Sequence, residues 1–174
     1  MEITTLFGLP AHPLLVHIPI VLIPLVGVGA IAIAVSSRAR ERFGTAVLAL
    51  SGVAFIGTLL AAGSGESLVE SVDSSAALRK HVDLAEGMRP LAFVLLLAIG
   101  GIVLMDQLRR RGTPMPRWMP RWTGAALGAT TIVLAVVTTG WLVAVGHNGA
   151  AATWSHTHVE SGHDQGLSTS TPGH

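Results

Sequence analysis

Cysteine and tyrosine are both missing from this chain of 174 residues, and charged side chains make up only 12% of it. Without cysteine there is no disulfide framework, no thiolate metal site and no thiol nucleophile, and thiols say nothing about the redox compartment. Charge is about half of what a soluble domain of this size carries. It is joined by 50% hydrophobic residues and a mean hydropathy of +0.60. A single-core protein dissolved in water is therefore the wrong class. A net charge of +1 supplies no basic field for releasing counterions from a polyphosphate, which argues against nucleic acid as a partner. A Walker loop, a Rossmann fingerprint, an HExxH string and a nucleophile elbow are absent as well. The residue pattern names no reaction and leaves open whether the chain is an enzyme.

What the chain does have is four stretches free of Asp, Glu, Lys and Arg: Ile3 to Ser37, Phe43 to Gly65, Pro90 to Met105 and Trp122 to Val159. Their apolar cores predict membrane spans over 14–35, 45–62, about 88–105 and 123–145, each near the ~20 residues that cross a ~30 Å hydrocarbon layer. They are apolar on all sides, as lipid-facing helices are, and lack the alternation of a β-barrel. The expected fold is an all-α, integral membrane four-helix bundle over residues 1–149. A flexible, histidine-containing tail, rich in Gly, Ser and Thr, follows over 150–174.

Lys and Arg set the orientation. Eight of them (Arg38, Arg40, Arg42, Arg109, Arg110, Arg111, Arg117 and Arg121) fall between spans one and two or three and four, against Arg79, Lys80 and Arg89 on the opposite side. The arginine-rich side is expected in the cytoplasm and both termini outside. The opening MEITTLFGLPAHP has an acid at Glu2 and no Lys or Arg, so it lacks the basic n-region of a cleavable signal and the first span is expected to stay as an anchor. The tandem MPRWMPRW, Met115 to Trp122, suits an interfacial belt of indoles and guanidinium groups at anionic lipid. Small residues for helix contacts are offered by Gly124 with Gly128, Gly57 with Ala61, and Gly100 with Gly101.

In this topology all eight histidines lie on the outer side. His12 and His17 are at the outer end of the first span, His81 near the start of the third and His147 at the end of the fourth, while His156, His158, His163 and His174 are in the tail. His17 follows His12 and Pro13 by about one turn and a half and is expected inside the apolar layer, facing the bundle. Pro19 and Pro24 remove the donors for the carbonyls of Leu15 and Ile20, so a kink is expected beside His17. Hydrogen bonding of His17 to such a carbonyl is the plainer alternative. The charge-free part of the third span would reach only about 24 Å. Its extension through SSAALRKHVDLAEGM, capped by Ser74 or Ser75, carries His81, Asp83 and Glu86 to the outer rim. His81 there shares a face with Ala85 and Met88, Glu86 lies about 140° away, and Pro90 is expected to bend the region. Glu66, flanked by Gly63 and Gly65, ends the second span, and Gly140, Trp141, Gly146 and His147 end the fourth.

The segments GLPAHPLLVHIPIVLIPL, SGESLVESVDSSAALRKHVDLAEGM and GWLVAVGHNG resemble the bacterial four-helix membrane family known as domain of unknown function 2231, over about Gly8 to Gly149. His12, Pro13, Val16, His17, Pro19 and Ile20 match its opening, with Ile18 where phenylalanine is usual. Gly65, Glu66, His81 and Glu86 fit its Gly-Glu and histidine-bearing stretches. Where that family often has a tyrosine and a His-Gly pair, this chain reads His147-Asn148-Gly149. The resemblance implies a multi-pass protein of the bacterial cytoplasmic (inner) membrane and carries no reaction with it.

Three readings of the histidines follow. In the first, His17 and His81 are axial ligands of a b-type haem, with His12 and His147 nearby, glycines as flat walls, and Arg79, Lys80 or Arg89 at the propionates. Electron transfer with a quinol or a periplasmic carrier is the implied task. The second is a Cu or Zn site built from His12, His17 and His81 with Glu66 or Glu86. In the third the chain is a membrane subunit or assembly partner, homo- or hetero-oligomeric, whose histidines only join helices.

Overall fold

The computed structural model describes residues 5–6, 9–69, 76–113, 120 and 122–154. A short antiparallel pair, β1 (Thr5–Leu6) and β2 (Leu9–Pro10), leads into α1 (Ala11–Leu15) and α2 (His17–Val35). Then come α3 (Ser37–Val69), α4 (Ala76–Glu86), α5 (Met88–Arg110) and α6 (Thr123–Trp154). Among the described residues, four helical stretches are long and apolar enough to cross a membrane: His12–Val35, Ser37–Glu66, Leu78–Arg110 and Thr123–Ala151. The four-helix expectation holds, and each stretch is longer than its hydropathy core: the second and third continue at both ends, the first only at its start and the fourth only at its end.

The expected arginine loop between the first two spans is not a loop. A single extended residue, Ser36 (φ −126°, ψ 118°), separates α2 from α3. Its hydroxyl accepts the Ala39 N–H at 3.2 Å as a helix cap. Arg40 folds back to donate to the carbonyls of Ile33 (2.7 Å) and Ala34 (3.0 Å), satisfying orphan acceptors at the negative end of α2.

Proline sets two softer breaks by one rule. Val16 interrupts the helix three residues before Pro19, and Gly87 interrupts it three residues before Pro90. Each proline lacks the N–H that would bond the residue four back and crowds that carbonyl. Both Val16 (φ −65°, ψ −23°) and Gly87 (φ −63°, ψ −19°) nevertheless keep helical dihedrals, so the chain bends without turning away. Pro24, expected to add to the kink, lies inside α2, which runs without a break from His17 to Val35.

The helices form a closed ring in which α2 packs on α3 and α6, and α5 packs on the same two. Every neighbouring pair is antiparallel. Arg89 at the start of α5 pairs with Glu66 near the end of α3, whereas Arg110 at the end of α5 pairs with Glu41 near its start. Ile18 of α2 packs against Gly57 of α3, and Thr139 of α6 against Gly27 of α2. The core is small-residue and aliphatic, with Ile23, Val26, Ala30, Ile33, Ile99 and Ala135 at most 2% exposed. Outward, Val28 (69% exposed), Val136 (60%) and Val143 (67%) lead a large apolar surface. Each such side chain would forgo about 1.5–3 kcal/mol if left in water, so the solvent of this surface is lipid. The Gly124/Gly128 pair does not serve one interface: Gly124 faces Arg109 of α5, and Gly128 faces the Ala34 carbonyl of α2.

Candidate functional site

Antiparallel packing brings α1, the start of α2, the end of α3, α4, the start of α5 and the end of α6 to one end of the bundle. The described histidines, His12, His17, His81 and His147, are all carried by these elements. His156, His158, His163 and His174, the Ser74 and Ser75 cap and most of the MPRWMPRW tandem lie outside the described residues.

Two of these histidines are seated alike. His12, half-buried, directs Nδ1 to the carbonyl of Ala61 and the hydroxyl of Ser64, each at 3.1 Å. Ser64 in turn donates to the same carbonyl at 2.9 Å. His81, also half-buried, directs Nδ1 to the carbonyl of Val145 at 3.1 Å. A carbonyl only accepts, so Nδ1 carries the proton in both neutral rings and Nε2 carries the lone pair. No described residue offers either Nε2 a hydrogen bond.

Each ring also lies against a glycine. A Cβ at Gly65 would stand 2.9 Å from His12 Cε1, and one at Gly149 would stand 2.9 Å from His81 Cε1. Any other residue would displace the imidazole. The receiving faces follow from helical spacing: Ala61, Ser64 and Gly65 share one face of α3, and Trp141, Val145 and Gly149 share one face of α6. Trp141 donates its indole N–H to the Leu84 carbonyl at 2.8 Å and packs on Gly87, where a Cβ would be 3.0 Å away. α4 is thereby held on α6 beside His81.

His17 is elsewhere. Expected to face the bundle, it is exposed, and its Nδ1–H donates to the Pro13 carbonyl of its own turn. Five residues at 100° each set His12 and His17 about 140° apart on a helix, so seating His12 inward turns His17 outward. His147 is exposed on α6. Glu66 is taken by Arg89, and Glu86 is exposed. Among the described residues no three His, Asp or Glu side chains form a group that could hold a metal ion. The five-residue set His12, His17, His81, Glu66 and Glu86 is therefore not gathered. Gly65, beside Glu66 at the end of the second span, seats an imidazole. Sequence reasoning missed Ser64 and the carbonyls of Ala61 and Val145. Carbonyl partners leave no side-chain signature, whereas the offset of about 140° was available in the spacing.

A family model for predicted membrane proteins, DUF2231, matches residues 8–161. The chain belongs to this family. The match opens four residues before the HPLLVHIPI segment and runs twelve residues past Gly149, and α6 continues to Trp154. No curated protein and no solved structure matches the chain significantly. As a DUF2231 member with four apolar helices, it is a multi-pass membrane protein.

Proposed function

We propose that this protein binds a b-type haem at the histidine end of the bundle, with His12 and His81 as the axial ligands, and serves one-electron transfer there. The observation that carries the reading is the shared anchoring of the two rings. Each gives its Nδ1 proton to a backbone carbonyl of another helix and keeps the Nε2 lone pair, which is how imidazoles committed to a metal are oriented. A bare Zn ion asks for three or more protein ligands, and the described residues offer no such group. Haem iron brings its equatorial nitrogens and asks the protein for only two imidazoles.

When bound, the haem would supply reversible one-electron chemistry at its iron. The chain's own contribution is orientation: Ala61 and Ser64 hold His12, Val145 holds His81, and Gly65 and Gly149 let both rings approach the backbone. Arg89 is neutralised by Glu66, so Arg79 and Lys80, both exposed on α4, are the cations left for propionates. The excess of Lys and Arg at the opposite end supports a topology with that end in the cytoplasm of a bacterial inner membrane and the histidine end outside. A quinol or a periplasmic carrier would be the redox partner.

The test is a visible spectrum of detergent-purified protein expressed with haem supplied. A Soret band that survives His17→Ala and disappears in both His12→Ala and His81→Ala is the expected result. Colourless protein overturns the proposal. With stoichiometric Cu or Zn it favours metal handling, and without metal it favours a membrane subunit whose histidines only tie helices together.

A further inference from the structure

The histidine pair leaves the opposite end of the bundle unexplained. There a cavity of about 260 Å³ opens between the last turn of α2, the last turns of α5 and the first turn of α6, lined by Ala34, Arg40, Met105, Asp106, Arg109 and Gly124 among others. Its charges do not cancel. Arg40 spends Nε and one terminal nitrogen on the Ile33 and Ala34 carbonyls. Asp106 and Glu41 are both engaged by Arg110. Arg109 is exposed and forms no ion pair with a described residue. Its guanidinium lies beside Gly124, where a Cβ would come 3.3 Å from it. Gly124 is the second residue of α6; the N–H groups of Thr123 and Ala126 are taken by the carbonyls of Pro120 and Trp122, so the N–H groups of Gly124 and Ala125 and the positive pole of a 32-residue helix are what converge where Arg109 stands.

We propose that this cavity binds the phosphate of an anionic glycerophospholipid, with Arg109 as the principal contact and the first turn of α6 as the second. A guanidinium and free helix N–H groups are matched to a phosphate's oxygens. The cavity lies at the arginine-bearing end of the bundle, beside the ends of the apolar stretches Leu78–Arg110 and His12–Val35, the level at which headgroups would meet it. Next to the lining residues Ala34 and Met105, the side chains of Val35 and Leu104 point outward, 70% and 57% exposed, and offer acyl chains a surface. This inference is independent of the haem reading and concerns the other end of the molecule.

The test is native mass spectrometry of the full chain released from micelles containing phosphatidylglycerol or phosphatidylcholine, with inorganic phosphate as a separate competitor. Phosphatidylglycerol is expected to be retained about tenfold better than phosphatidylcholine, whose phosphate is the same but whose choline cation would be repelled by Arg109. That preference should vanish in Arg109→Gln and in Gly124→Leu, which fills the cavity wall. It should persist in Arg38→Gln, an exposed arginine at the same end. Displacement by millimolar inorganic phosphate would support the phosphate contact with a free anion as its source, and resistance to it would support the lipid. Equal retention of both lipids, or equal preference in wild type and in variants that keep the wild-type circular dichroism, overturns the proposal.

Discussion

The imidazole of His12 lies so close over Gly65 that a methyl group on that glycine would stand 2.9 Å from its Cε1. A histidine of the first helical segment is thus fitted to the backbone of α3, and its hydrogen bonds to Ala61 and Ser64 depend on that fit. Gly65→Val should push the ring off both acceptors and destabilise the protein by about 1–3 kcal/mol, as overpacking does. It should also remove any haem bound through His12. Gly63, two residues away, has open space where its Cβ would stand. Gly63→Ala should be neutral or stabilise by up to about 1 kcal/mol through helix propensity. Thermal unfolding in one detergent, with the Soret absorbance followed in parallel, compares the two.

Trp141 is expected to be the clasp of α4. Trp141→Phe keeps a ring against Gly87 but gives up the bond to the Leu84 carbonyl. The loss should be about 1 kcal/mol. It should appear chiefly as faster amide exchange along Ala76–Glu86, with the exchange of α2 unchanged.

Thr138 offers a contrast within one helix. Its hydroxyl is fully buried and finds no partner among the described residues, whereas Thr131, equally buried and seven residues earlier, donates to the Leu127 carbonyl at 2.8 Å. Thr138→Val, nearly isosteric, should leave stability unchanged or raise it by about 1 kcal/mol, since the desolvation of an unpaired hydroxyl is removed. Thr131→Val should cost about 0.5–1.5 kcal/mol. Unfolding equilibria in bicelles would read the difference in sign.

The Glu66–Arg89 pair joins α3 to α5 close to both histidines, yet its side chains are 62% and 37% exposed. A double-mutant cycle with Glu66→Gln and Arg89→Gln should return a coupling of about 0–1 kcal/mol, falling as salt is added. Coupling several times larger would mean that the pair is shielded from water.

Hydropathy locates all four spans, because a helix facing lipid must be apolar on every side. Pro19 and Pro90 locate two interruptions of the helices, whereas Pro24 sits in an unbroken α2, so a missing N–H marks where a break can form and the surrounding packing decides whether it does. The arginine linker is where local reasoning fails. Charge suggests chain leaving the helix, whereas a serine cap and one arginine reaching back allow a reversal at a single residue. Depth along the helix favours His17 over His12, and depth says nothing about which way a side chain turns.

Order along the chain, then, was enough to determine a membrane bundle, the positions at which its helices can break and the end at which the histidines gather, since each follows from local hydrophobicity, backbone chemistry and span parity. His81 was already singled out by its place in the sequence, whereas the seating of His12 in place of His17 belongs to the tertiary structure. Rotation of a helix about its axis is set by close approaches such as Ile18 on Gly57 and Trp141 on Gly87. An all-round apolar segment has no polar face to fix that rotation by itself, so packing decided it.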